Sequence, residues 1–158
     1  MNRLVVVTAA LILPALGACD SVAPLAMDLP IITTGKVSDA ELVAAVLDDV
    51  HQGMQERRVY RVLAHVSRNY HDDEGRGYAD IQEYLSRVFS LYKDLRITRV
   101  QPEIVVRGYE AKAIETFGTI AEPLDPDKAP PIQLQGQVAV FLEKIDNRWL
   151  IVEWGNVQ

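Results

Sequence analysis

Along this chain the spacing of apolar residues changes once, near Lys93, from a period of three to four to a period of two, and that change dictates the architecture. Before it, Leu42, Val43, Val46, Leu47, Val50 and Met54 fall on one stripe at helical spacing. They follow Ser38-Asp39-Ala40-Glu41, a capping box in which the serine hydroxyl and the glutamate satisfy orphan amides. Val59, Val62, Leu63 and Val66 continue the period as a short second helix. Ile81, Tyr84, Leu85, Val88, Phe89 and Tyr92 form a third, with Asp80 at the positive end of its dipole. Residues 67–71 suit a brief strand, and 72–77 a polar, glycine-bearing turn. After Lys93, residues 95–100 and 104–107 read as one strand bent or broken near Pro102. Gly108-Tyr109-Glu110 is a tight turn, 111–121 a strand and 122–131 a proline-bearing loop. Strands at 132–145 and 148–154 then flank Asp146-Asn147, a two-residue hairpin turn. Helices first and an antiparallel meander afterwards predict an α+β domain with the helices on one sheet face.

The amino-terminal segment carries a different signal. Arg3 precedes an apolar run over 4–13, and Leu16-Gly17-Ala18 leads directly into Cys19, the only cysteine. Such a layout is a secretory signal peptide, and its apolar core, interrupted by Pro14, is too short for a spanning helix. The small-small-Cys ending resembles the lipobox of bacterial lipoproteins. That resemblance implies a diacylglyceryl thioether on Cys19, cleavage after Ala18, and a membrane partner held through the lipid anchor in the bacterial cell envelope. Asp20 resembles the retention signal of enterobacterial lipoproteins, which implies the periplasmic face of the inner membrane. The expected organisation is therefore a signal peptide over 1–18, a lipidated cysteine and tether over 19–37, and one domain over 38–158. Without residues 1–18 the chain holds 15 basic and 22 acidic side chains, a net charge of −7. Such a balance argues against nucleic acid or an anionic lipid surface as the main partner.

The order of helix, short helix, polar turn, long helix and bent hairpins resembles the nuclear transport factor 2-like superfamily. Its carriers here are residues 70–75, Val106-x-Gly108-Tyr109-x-Ala111, and Lys144 through Trp149-Leu150-Ile151. The resemblance covers about residues 38–155 and implies a cone: three helices packed on a strongly curved, mostly antiparallel (cystatin-like) sheet, with a cavity between. Members include ketosteroid isomerase, scytalone dehydratase, transport and assembly factors and non-catalytic ligand binders, so the fold alone does not choose a function.

Candidate chemistry is sparse. Asp72, Asp73 and Glu74 lie in the turn where ketosteroid isomerase carries its base. Three consecutive acids beside Gly75, Arg76 and Gly77 nonetheless read as a solvated turn. Tyr60, Tyr70, Tyr84 and Trp149 are the large side chains expected to line or fill the cone. Glu153, two residues beyond Ile151 and four beyond Trp149, falls on their face, and with Trp149 packed inward it is the expected polar anchor at the rim. His71 beside two aspartates lacks the further ligands a metal site needs, and His51 and His65 read as packing residues on helices. No metal and no cofactor is expected. Leu150, Val152 and Trp154, on the opposite face, call for cover and suggest a homodimer.

The sequence thus favours a lipid-anchored, non-catalytic binding domain for a small apolar ligand or an envelope protein. An isomerase or dehydratase using Asp72 or Glu153, and a structural subunit of an envelope complex, are the alternatives. Lipoprotein maturation needs the thiol as acyl acceptor. Cys19→Ser is therefore expected to leave an unprocessed precursor that takes up no labelled fatty acid, read by metabolic labelling and gel mobility.

Overall fold

The computed structural model describes residues 36–157; Cys19, the leader and most of the tether lie outside the described residues. Eight elements follow in order: α1 (Asp39–Gln55), α2 (Val59–Leu63), α3 (Tyr78–Leu91), β1 (Tyr92–Arg99), β2 (Glu103–Arg107), β3 (Glu110–Pro123), β4 (Ile132–Ile145) and β5 (Arg148–Asn156). No helix among the described residues is long and apolar enough to cross a membrane.

Local chemistry accounts for the ends of these elements. The Glu41 amide donates to the Ser38 hydroxyl at 3.2 Å, and the Ser38 amide to the Glu41 carboxylate at 2.7 Å, closing the expected capping box. At the start of α3 the Gly77 amide donates to the Asp80 carboxylate at 2.7 Å. Asp146 and Asn147 carry φ of +48° and +62°, the left-handed pair that lets a two-residue turn match the twist of β4 and β5. Tyr92, expected at the end of α3, is instead the first residue of β1, in a buried cluster with Leu95, Ala121 and Ala129.

The sheet runs β1-β3-β4-β5 antiparallel, with β2 pairing the first half of β3 and β1 the second. The edge is thus one path broken at residues 100–102, as Pro102 requires. The segment expected as a brief strand makes only isolated bridges. It runs along β5, with the Ser67 amide donating to the Ile151 carbonyl at 2.8 Å and the His71 amide to the Val152 carbonyl at 3.0 Å.

Val43, Leu47 and Val50 of α1 and Val62 and Leu63 of α2 bury against Ala113, Val140, Leu142 and Ile151 on the inner sheet face. Trp149 is buried beside them, and its indole N–H donates to Asp39 at 3.1 Å, a carboxylate that also accepts from Lys144 at 2.5 Å. Those two partners, Lys144 first, hold the Asp39 carboxyl below its usual range and fasten the start of α1 to the β4–β5 hairpin.

One irregularity changes the expected faces of β5. Leu142 pairs with Ile151, but the next residue back, Phe141, pairs with Glu153, so Val152 is an extra residue, a β-bulge. After it the alternation is reversed. Glu153 stands opposite Phe141 on the outer face, whereas Trp154 pairs with Val140 and turns inward. Placing Glu153 on the face of Trp149 and Ile151 is therefore corrected, and so is placing Trp154 outside; only Leu150 and Val152 remain of the apolar set behind the homodimer expectation. Trp154→Ala keeps the bulge but removes the ring that it turns inward. The expected outcome is a loss of about 3 kcal/mol, the scale of truncating a packed aromatic, read in urea unfolding.

Candidate functional site

Between the helices and the inner sheet face lies a cavity of about 420 Å³. Its walls are mostly apolar: Val50, Met54 and Val62 from the first two helices, Ile81 and Leu85 from α3, and Ile97, Phe117, Val138 and Trp154 from the sheet. Tyr84, half-exposed, stands among the lining residues on α3. A size of this order suits a small organic molecule.

Two polar groups interrupt the apolar wall. The first joins α1 to β3. Glu115 follows Ala111 and Ala113 on the inner face of β3, so alternation carries its carboxylate inside, where it is 5 % exposed. Arg99 of β1 donates to it at 3.0 Å and also pairs with Asp48 of α1. His51 lies one turn beyond Leu47, and its Nδ1 is 3.1 Å from the Leu47 carbonyl and 3.8 Å from Glu115 Oε1. A carbonyl only accepts, so Nδ1 carries a proton, and the tautomer with that single proton has its lone pair on Nε2. Among the described residues Nε2 has no hydrogen-bond partner, and it is not sealed from solvent.

The second group stands at the turn before α3. The Asp72 carboxylate accepts from the Glu74 and Arg76 amides at 3.0 and 2.9 Å, from Arg76 Nε at 2.8 Å and from the Tyr70 hydroxyl at 3.2 Å. The Tyr70 oxygen in turn accepts from the Trp154 amide at 3.3 Å, and the two rings meet with centroids 5.6 Å apart. Burial pushes the Tyr70 hydroxyl well up, so it remains a neutral donor. Burial also works against the Asp72 charge, but the hydrogen bonds and the Arg76 charge outweigh it and hold the carboxyl below its usual range. Arg76 gives Nε to Asp72 and Nη1 to Glu74, and its side chain lines the cavity.

These placements revise the sequence reading residue by residue. Asp72 is not solvated: its carboxylate is 2 % exposed and fully engaged, a fastener for the turn. Tyr70 and the half-exposed Tyr84 are among the residues that line the cavity. Tyr60 points away: it is 80 % exposed on α2 and borders a different hollow. Trp149 is core packing rather than cavity wall, tied to Asp39. Glu153 is on the outer face because of the Val152 bulge. Of the residues that do bring polarity into the cone, His51 reads from the sequence as helix packing, Arg76 as part of a solvated turn, and Glu115 is not singled out. A charged residue on an otherwise apolar strand face was the available signal for Glu115, legible only once the inward face of β3 is known.

Comparison with known proteins reaches the fold and stops there. Three solved structures lie close in shape. A proposed scytalone dehydratase from Novosphingobium aromaticivorans is 13 % identical, aligning over 72 % of this chain and 79 % of its own, with a TM-score of 0.64. A nuclear transport factor 2-like superfamily protein from Salmonella enterica is 16 % identical over 73 % and 89 %, with a TM-score of 0.60. A hexachlorocyclohexane dehydrochlorinase is 11 % identical over 72 % and 80 %, with a TM-score of 0.61. The fold is the nuclear transport factor 2-like cone. No family model matches the sequence, and no curated protein does. Within this cone, helices pack on a curved antiparallel sheet, as the sequence resemblance implied.

The Asp72 fastener has a definite pH signature. Folding lowers its pKa from the ordinary 3.8, so its contribution is complete above that value and disappears as pH falls through the lower folded one. Asp72→Asn keeps the shape but loses the charge-assisted bonds. It is expected to cost about 2 kcal/mol at pH 7 and to flatten the acid limb of the stability curve, measured by urea unfolding between pH 2 and 7.

Proposed function

We propose that this protein is a lipid-anchored envelope protein whose cone binds a small, largely apolar molecule carrying one hydrogen-bonding group. The observation that carries the reading is the cavity itself: apolar on most of its wall, with Arg76 and His51 as polar groups. An apolar pocket with a few placed polar groups is the usual form of a small-ligand site. The lipid anchor rests on Leu16-Gly17-Ala18-Cys19 and the leader before it.

A second reading, catalysis by proton transfer, is favoured by one specific observation. His51 holds its proton on Nδ1 and offers Nε2 free, which is the arrangement of a general base. A carbon-bound proton next to a carbonyl would pass to Nε2. The enolate oxygen would be met by the Arg76 guanidinium, and the imidazolium would face the Glu115 carboxylate. Return of the proton to another carbon is isomerisation; departure of a neighbouring hydroxide, protonated to water, is dehydration. Neighbouring structures named as a proposed scytalone dehydratase and a dehydrochlorinase support this class without specifying a substrate.

Two probes separate the readings. 2-Naphthol should bind the purified chain saturably and quench tryptophan emission, and Val138→Trp, which fills the cavity, should abolish the effect. Equal binding by both proteins would overturn the pocket. 2-Tetralone in D2O, followed by NMR, reports proton abstraction directly. A catalyst should exchange its α-protons at least about a hundredfold faster than His51→Gln, the usual scale of general-base catalysis. Identical rates would leave a binding protein without catalysis.

A further inference from the structure

A second hollow, of about 330 Å³, lies outside the cone where α2 and the start of α3 meet the first residues of β5. Leu63, Val66 and Leu150 line it, with Tyr60 and Tyr78 on its walls and two arginines, Arg68 and Arg148. Arg68 lies over the Tyr78 ring, its guanidinium carbon 4.1 Å from the centroid, a contact that restrains the guanidinium. Tyr60, 80 % exposed, presents a bare aromatic face.

Charge decides what this hollow takes. The chain is acidic, with 22 acidic and 16 basic side chains, and five of the ten described arginines pair with a carboxylate. Neither Arg68 nor Arg148 is among the ion pairs formed by the described residues, and no residue lining the hollow is acidic. Arg68 and Arg148 thus bring like charges to one hollow with no acid on its wall, and an anion bound there relieves their repulsion. A carboxylate or a phosphodiester brings one negative charge. A phosphate monoester brings about two at neutral pH, with three acceptor oxygens for paired N–H donors. We propose that this hollow is a phosphomonoester site, the phosphate held between Arg68 and Arg148 and an apolar or aromatic body lying against Tyr60 and the aliphatic floor. Neither the cone ligand nor His51 enters this assignment.

Such a phosphate can come from a soluble ester or from a phosphatidic acid headgroup, and the test distinguishes them. The full chain, labelled with 15N and held in non-ionic maltoside micelles, is titrated with phenyl phosphate while the arginine Nε–H signals are followed. Saturable shifts at Arg68 and Arg148 are expected, with affinity falling about tenfold in Arg68→Gln or Arg148→Gln, the loss of one charge-assisted contact. Arg96→Gln and Arg107→Gln, exposed arginines outside the hollow, should leave binding unchanged. Nanodiscs containing phosphatidic acid, compared with phosphatidylcholine discs, form the lipid arm. Shifts with phenyl phosphate identify a soluble source, and shifts with phosphatidic acid discs alone a lipid one; both support the site. Non-saturating shifts, equal weakening by the Arg96 and Arg107 variants, or equal affinity for benzoate would overturn it.

Discussion

The geometry of the inner sheet face depends on a single backbone event, the extra residue at Val152 in β5. Ile151 must go inward to close the core against α1 and α2, and Trp154 goes inward to wall the cavity against Tyr70. A regular strand cannot send residues three apart to one face, since its side chains alternate with a period of two. The bulge resolves the conflict, and the neighbouring segment stabilises it: the Val152 carbonyl accepts from the His71 amide, so the bulged backbone remains paired. Through His71 the same contact fixes the turn that holds Asp72 and Arg76. Cavity wall, bulge and polar turn thus form one mechanical unit.

Two buried carboxylates in the domain have opposite roles because their partners differ. Asp72 is surrounded by donors from its own turn, so its charge is spent on local structure. Glu115 receives one arginine, shared with Asp48, on the same oxygen that lies 3.8 Å from His51. A carboxylate saturated by backbone amides is a fastener. One that faces an imidazole inside an apolar cavity can influence a proton.

The cone and the outer hollow also differ in what they exclude. Inside the cone, each cationic group has a carboxylate against it, Arg76 with Asp72 and Arg99 with Glu115, so the cavity presents polarity without much net charge. The outer hollow has two cations and no acid on its wall. An apolar molecule with one polar group suits the first, and a doubly charged anion the second.

Local sequence determined what local physics controls. The capping box at Ser38, the three helical stripes, the Asp146-Asn147 turn and the break near Pro102 all appear where short-range spacing and backbone preference put them, because each is decided within a few residues. The resemblance carried by residues 70–75, 106–111 and 144–151 added the curvature of the cone. Tertiary structure alone decided the site. Whether Glu115 or Lys112 faces inward depends on the pairing of β3 with β4, and whether Glu153 or Trp154 does depends on one inserted residue in β5. His51 looked like any histidine on a helix until a strand more than sixty residues later brought a carboxylate to it. Asp72 looked solvated because its turn is polar, but Tyr70 and Arg76 close over it only after that turn docks on β5. Spacing along a chain fixes periodicity, while burial and partnership are fixed by which distant segments meet.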